Sequence, residues 1–464
     1  MRVRNKNAVF ISIAILLTIC AVVAFVFFEK QSLLLISPLV FSVLLLITKN
    51  IRKSVLRGDF LTVYMVVVAI IRYYAYPLLF SALFADSFYR LEYSKSATLV
   101  FIIEGMFMII ALDYFLLKRP YTDALTIQDN VYKKNHYWII ILVSIVALIV
   151  ILRLPSVRYN YQFVWNTSVD SASGTDFNTL VESLGYVFVD VARLLLPLVI
   201  INRCINSAQK KGSKRIYLVF SMLASIIPML VIKNLNRGSS FFTSLLYLWV
   251  VIRYFGWKKS KNYAIFSLLG VVALLLIVSA VKHAMGLSSQ GFTVAYIYDV
   301  IQSYVLGVES IRTGLLTNAI YASTNRASVL FNDVFSSIPI LNRLADFDNR
   351  YTVLYNSVQY LGVYNKNDAI APLITHMFYF FGPIGFFIPI LFIKMSIHFL
   401  RKSINSRTTN EAFIYAYVAL ILESGHSGSF TATMSSIIWV VLPLYATLCL
   451  MRKQVVPLGK VRTN

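Results

Sequence analysis

Apolar runs about as long as the helix that crosses a bilayer, roughly 20 residues, recur along most of this chain. They lie near residues 8–28, 31–48, 60–84, 97–117, 137–154, 180–201, 216–233, 240–257, 263–281, 373–400, 412–423 and 430–451, with the eleventh the shortest. The pattern predicts an all-α polytopic membrane protein with about twelve transmembrane helices. The first run follows MRVRNKN and continues without a small-residue cleavage site, so it is expected to remain as a span rather than act as a signal peptide. Between the ninth and tenth runs lies the one long polar interruption, residues 282–371, too long for a simple connection. Within it Ile297, Ile301, Tyr304, Val308, Ile311 and Leu315 recur in steps of four and three. That spacing predicts an amphipathic helix whose apolar stripe lies on the membrane or on the helix bundle. The chain therefore reads as 1–281, a bundle of nine helices; 282–371, an external loop domain; and 372–464, three further helices. No internal repeat or low-complexity tract divides it further.

Composition identifies the solvent. The chain is 58% hydrophobic and 14% charged, with a mean hydropathy of +0.71. So little polar surface cannot cover a soluble domain, which leaves lipid. The formal charge of +23 would suggest nucleic acid in a soluble chain. Here it is concentrated in KNIRKSVLRGD, KRPYTDALTIQDNVYKKN, NRCINSAQKKGSKR, WKKSKN, RKSINSRTTNE and MRKQVVPLGKVRTN, all on one side if the N-terminus is cytoplasmic. The alternate connections are mostly poorer in Lys and Arg, as the positive-inside rule requires. Both ends are then cytoplasmic, the long loop periplasmic, and no nucleic-acid partner is implied. Cys20, Cys204 and Cys449 are far apart and lack the spacing of a metal site or disulfide framework. The absence of a Walker loop and of a His/Cys cluster argues against ATP-driven transport and zinc chemistry.

Candidate chemistry lies mainly on the outer face, whose cations are mostly arginine: Arg90, Arg158, Arg237, Arg312, Arg326, Arg343 and Arg350. The guanidinium fork matches phosphate oxygens, so this bias points to an anionic ligand; pairing with Asp346 and Asp348 is the alternative. Arg237 stands out in NLNRGSS, a short hairpin on the side where positive charge is disfavoured, beside a glycine that allows close backbone approach. A snorkelling anchor is its plainer role. His376, in PLITHMFYFFGPIGFF at the start of the tenth run, is placed to act as a general base at the membrane surface, or to pack there among aromatics. Glu423 and His426 are second candidates at the outer end of the following helix. Charges inside the apolar runs need partners: Arg72 with Glu104, and Asp190 with Arg193 at i and i+3. Internal pairing accounts for these most simply, and a proton or substrate path is the alternative. Asp346-Phe347-Asp348 has the Asp-x-Asp form used for metal and nucleotide sugar, a triplet common enough that no metal is assigned.

The plan resembles the Wzy-type polymerase family of O-antigen and capsular polysaccharides. The likeness rests on many spans, cytoplasmic ends, the arginine-bearing hairpin NLNRGSSFFTSLLYLWVV, and a late periplasmic loop followed by FYFFGPIGFFIPIL. That last stretch is also similar to the region of the related O-antigen ligases where a His precedes an aromatic-glycine helix, the place of His376. The family often carries an Arg with a Gly about eleven positions on; Arg350 and Gly362 stand one residue off that spacing. The resemblance implies a GT-C-like, inverting, metal-independent glycosyltransferase without soluble cofactor at the periplasmic face of the bacterial inner membrane. Its donor would be a growing glycan on undecaprenyl diphosphate and its acceptor a repeat unit on the same lipid. A chain-length regulator and a flippase would be further partners. It also implies that His376 or Glu423 removes the acceptor proton, while Arg237, Arg312, Arg326, Arg343 and Arg350 hold the diphosphate. The rivals are a lipid-linked oligosaccharide flippase, which Arg72, Glu104, Asp190 and Arg193 favour, and an O-antigen ligase or membrane O-acyltransferase.

Overall fold

The computed structural model describes residues 2–27, 32–56, 60–83, 95–117, 137–163, 180–211, 214–233, 237–286, 305–338, 341–362, 370–406 and 408–451. These are almost wholly helical. The described residues of the twelve apolar stretches lie mainly on helices: α1 (Arg2–Phe27), α2 (Ser32–Ile47), α3 (Lys49–Leu56), α4 (Phe60–Ile70), α5 (Tyr76–Leu83), α6 (Lys95–Leu117), α7 (Tyr137–Arg153), α8 (Pro155–Tyr159), α9 (Leu180–Lys211), α10 (Lys214–Leu230), α11 (Arg237–Phe255) and α12 (Trp257–Gly286) in the first part. The remainder comprises α13 (Val308–Ile320), α14 (Arg326–Ser336), α15 (Tyr351–Gly362), α16 (Leu373–Phe381), α17 (Ile388–Asn405), α18 (Thr409–Ser427), α19 (Phe430–Ser436) and α20 (Leu442–Met451).

The expectation of twelve full crossings is corrected. Among the described residues six stretches are long and apolar enough to cross a membrane: Asn7–Phe27, Thr62–Ser81, Lys95–Leu117, Val181–Ala208, Leu373–Asn405 and Phe430–Leu450. A seventh arises if α2 and α3, bent by 74°, count as one. Trp138–Arg153, Arg215–Leu230 and Ser239–Phe255 are apolar but shorter. At 1.5 Å per residue each reaches only about 25 Å, short of a hydrocarbon layer of about 30 Å. The chain is a helical membrane protein, and it divides into two compact units interleaved in sequence.

The first unit takes residues 1–121, 290–400 and 419–435. Its core gathers Phe41, Met65, Tyr73, Tyr76, Phe101, Met108, Ile311 and Ile374 from α2, α4–α6, α13 and α16. Two local devices shape it. Pro77 has no N–H, so the Tyr73 carbonyl loses its usual donor four residues on. Residues Ile71–Ala75 form a π-turn, in which the Tyr76 N–H reaches back to Ile71 O, and the Ser37 hydroxyl of α2 donates to Tyr73 O at 2.9 Å. At the α2–α3 bend, Asp113 of α6 receives the N–H groups of Asn50 and Ile51 at 2.8 and 3.0 Å, and the Asn50 side-chain amide at 3.0 Å. A carboxylate borrowed from another helix thereby caps the orphan donors of α3.

The apolar stripe read between residues 297 and 315 falls partly outside the described residues, which exclude Ile297, Ile301 and Tyr304. Its remainder is α13, where Val308 and Ile311 are buried in the core of the unit and Leu315 packs against it. This part of the stripe lies on the bundle. Two glycines allow the approach. A Cβ on Gly307 would lie 2.2 Å from the Tyr76 ring, and one on Gly314 2.2 Å from Thr375 Oγ1. Just before, Leu306 adopts φ 53°, a left-handed conformation unusual for a leucine.

The second unit takes residues 122–289, 401–418 and 436–464. The Tyr247 ring stacks on Phe413 at 4.4 Å and its hydroxyl donates to Leu194 O at 2.6 Å, joining α11, α18 and α9. Arg253 donates to the carbonyls of Ser403, Ile404 and Ser406, the end of α17. A short antiparallel ribbon pairs β1 (Tyr161–Phe163) with β2 (Val231–Lys233), Gln162 opposite Ile232.

Ser37→Ala is expected to lower stability by about 1–3 kcal/mol, because it strands a buried carbonyl; Ser37→Thr should restore part of it. Asp113→Ala is expected to cost about 1–2 kcal/mol through the lost cap. Thermal unfolding of the purified variants in detergent checks both.

Candidate functional site

Within the first unit, α14 and α16 bring together two side chains that are 43 residues apart: His376 Nε2 lies 2.8 Å from Asp333 Oδ2. Both are fully buried. The pair is held from several directions. Asn325 caps α14 by accepting from the N–H groups of Ala327 and Ser328, which fixes the helix that carries Asp333. Tyr351, the first residue of α15, stacks face to face on the His376 ring at 4.2 Å. Its hydroxyl donates to Asn318 Oδ1 of α13 at 2.9 Å, and Asn318 in turn donates to Thr375 O at 2.9 Å. Phe380 packs at 5.2 Å and Phe430 meets the ring edge-on at 6.2 Å.

A histidine that gives its Nε2 proton to a carboxylate keeps the Nδ1 lone pair as its basic atom, with tautomer and orientation set by that carboxylate. Nδ1 of His376 and Oδ1 of Asp333 are buried, and neither has a hydrogen-bond partner among the described residues. A base of this kind works on a substrate only after the aromatic cover opens. Burial pushes the Tyr351 and Tyr355 phenols far above their ordinary range, so both remain neutral hydrogen-bond donors.

The arginines expected to hold an anion are placed differently from one another. Arg326 is exposed at the first turn of α14, with its guanidinium 5.4 Å from the centre of the Tyr379 ring. Tyr379 contacts Tyr351 at 5.2 Å, so Arg326 stands two aromatic rings from His376. Arg343 is exposed in the 3-10 turn Leu341–Leu344. Arg350 donates from Nε to Phe347 O at 2.8 Å and covers the Phe347 ring at 4.5 Å. Arg312 pairs with Glu309 on its own helix at 3.5 Å. Burial raises the Glu309 carboxyl above the usual carboxylate range, and Arg312 opposes that shift. Arg237 opens α11 in the second unit, and its side chain lies outside the described residues, as do the His426 side chain and Arg90.

The pairing of outer arginines with Asp346 and Asp348 does not form for Arg326 or Arg343 among the described residues. Instead Asp346 Oδ1 receives the Asp348 N–H at 3.1 Å, and the Asp346 N–H donates to Asn332. The Asp-Phe-Asp triplet shapes a turn.

The charges inside the apolar runs do find partners. Arg72 Nη2 lies 2.7 Å from Glu104 Oε2, and Arg193 Nη1 lies 3.6 Å from Asp190 Oδ1 in the second unit, with Nη2 donating to Ser240. Glu423, read as a companion of His376, is buried on α18 in the same unit as the histidine. Sequence reading missed Asp333 and Tyr351. No spacing rule joins them to their partners, because each contact is made between elements.

Comparison with protein-family models, curated proteins and solved structures found no match.

His376→Ala is expected to destabilise the first unit by about 3–5 kcal/mol, because it leaves the Asp333 charge buried without its partner. Adding Asp333→Leu should recover part of that loss, and the non-additivity, read by a double-mutant cycle of unfolding midpoints, measures the coupling.

Proposed function

We propose that the chain is a glycosyltransferase of the bacterial inner membrane that polymerises lipid-linked oligosaccharide repeat units into surface polysaccharide. In this reading its ends are cytoplasmic and residues 282–371 face the periplasm. The observation that carries it is the His376–Asp333 pair at 2.8 Å, formed where the long polar segment meets an apolar helix, with the exposed Arg326 two rings away.

In this mechanism a hydroxyl of the acceptor repeat unit attacks the anomeric carbon of the donor glycan. The new glycosidic bond forms as the bond to the lipid diphosphate breaks, with inversion, and the hydroxyl proton passes to His376 Nδ1. Asp333 keeps the imidazole oriented and stabilises the imidazolium. Arg326, Arg343 and Arg350, with Arg237 and Arg312 as further candidates, would balance the charge that develops on the diphosphate. The leaving group carries the activation, so the reaction needs no nucleotide. Grooves between apolar helices would hold the two lipid tails. A transporter reading draws on the Arg72–Glu104 and Asp190–Arg193 pairs. Their close internal pairing fits a scaffold better than a cargo site.

Purified protein in proteoliposomes, given lipid-linked repeat units and no nucleotide, is expected to yield a ladder of longer glycans. His376→Gln and Asp333→Asn should each slow elongation by about 10²–10⁴-fold, the usual contribution of a positioned base. Arg326→Ala should raise the substrate requirement more than Arg326→Lys does. Full-rate ladders from His376→Gln would remove the histidine from the chemistry. Absence of elongation by the wild-type protein, with lipid moved across the bilayer, would decide for transport.

A further inference from the structure

On α14 the usual distribution of polar and apolar side chains is reversed. At 3.6 residues per turn, Val329, Asn332, Asp333 and Ser337 fall on one side of the helix, and all four are buried. Three of them are polar and tie the helix down. Asp333 meets His376 at 2.8 Å, the Asn332 amide donates to Asn349 O at 3.1 Å, and the Ser337 hydroxyl donates to Thr431 O at 3.3 Å. The opposite side is Ala327, Phe331, Val334, Phe335 and Ile338, with no polar side chain among them. Ser328 stands at the edge of this side, where its hydroxyl accepts from the Asn349 amide at 3.2 Å. Phe331 is 45% exposed and stacks on Phe335 at 3.8 Å, so the two rings form one apolar ridge. The reversal continues into the 3-10 turn Leu341–Leu344, which packs beside α14: there Asn342 is buried and Leu344 is 64% exposed.

A helix in water turns its apolar side to protein and its polar side to solvent. The opposite arrangement suits an apolar outer medium. Height and charge identify that medium. Asp333 reaches His376, the fourth residue of Leu373–Asn405, a stretch long and apolar enough to cross a membrane. The contact therefore fastens α14 about 4.5 Å, in axial rise, from the start of that span. Arg326 opens α14 and Arg343 lies in the neighbouring turn, both exposed. Long cationic side chains beside an apolar ridge match a layer of lipid phosphates over hydrocarbon. We propose that α14 and the 3-10 turn dock on the bilayer, with Phe331, Phe335 and Leu344 at the boundary of headgroups and acyl chains and with Arg326 and Arg343 at the phosphates. The polar side of the helix then faces away from lipid and holds the His376–Asp333 pair close to the membrane surface. The docking does not rest on the glycosyl-transfer reading, because an ordinary phospholipid bilayer supplies both contacts.

The experiment places a tryptophan on the ridge of the full-length protein and reads it in phospholipid vesicles free of lipid-linked sugar. Phe331→Trp, a conservative change at an exposed position, is compared with wild type, so that the difference is the emission of the added residue. That emission is expected at a shorter wavelength than tryptophan in water, resistant to acrylamide, and largely lost when the lipid chains are brominated. Leu344→Trp is expected to behave alike, and it carries the same readings if Phe331→Trp does not insert. Emission at the wavelength of water-exposed tryptophan, quenched by acrylamide and not by brominated lipid, shows a solvated face and overturns the proposal. Short-wavelength emission that neither quencher reaches shows that protein covers the ridge, a second copy or another segment of the chain, and also overturns it.

Discussion

A guanidinium placed in an apolar bundle must find counter-charge within reach of its own side chain, because lipid offers none. Arg72 meets that demand through Glu104, and the requirement sets where the α4–α5 span lies against α6. The local backbone takes part. Pro77 breaks the regular ladder, the π-turn absorbs the break, and Ser37 supplies the missing donor. The arginine, the irregular turn and the serine of α2 are therefore one structural unit; each makes sense only with the other two in place.

The same logic operates with weaker charges around His376. An imidazole and a carboxylate at full burial are tolerable only as a pair, and the chain draws on separate elements to make it: Asp333 from the polar segment, His376 from the apolar helix that follows it. Tyr351, Asn318 and the Thr375 carbonyl form a hydrogen-bonded strut between these parts. Polar segment and membrane helix are thereby tied to each other, while Val308, Ile311 and Ile374 join the core formed by the first 121 residues.

The legibility of the chain follows the range of its interactions. Helix positions were readable because apolar runs are local. The Asp190–Arg193 pair was readable from its i,i+3 spacing, and Arg72 with Glu104 from the cost of any charge in an apolar run. The number of full-length spans was not, since the apolar stretches Trp138–Arg153, Arg215–Leu230 and Ser239–Phe255 read as crossings although each is shorter than the six long spans. Asp333 was invisible for a different reason: an acid inside a polar segment has no reason to stand out until a helix from elsewhere delivers a histidine to it. The direction of the α13 stripe was left open between lipid and protein, and Val308 and Ile311 show that its described part faces protein.

Gly307, just before α13, and Gly314, within it, set how closely this helix sits on the bundle. Gly307 faces the Tyr76 ring and Gly314 faces Thr375, seven residues apart. The seat leaves no room for a methyl group at either point, so exchanging either residue for alanine would push the Tyr76 ring or the Thr375 side chain aside and disturb the helix that carries Asn318.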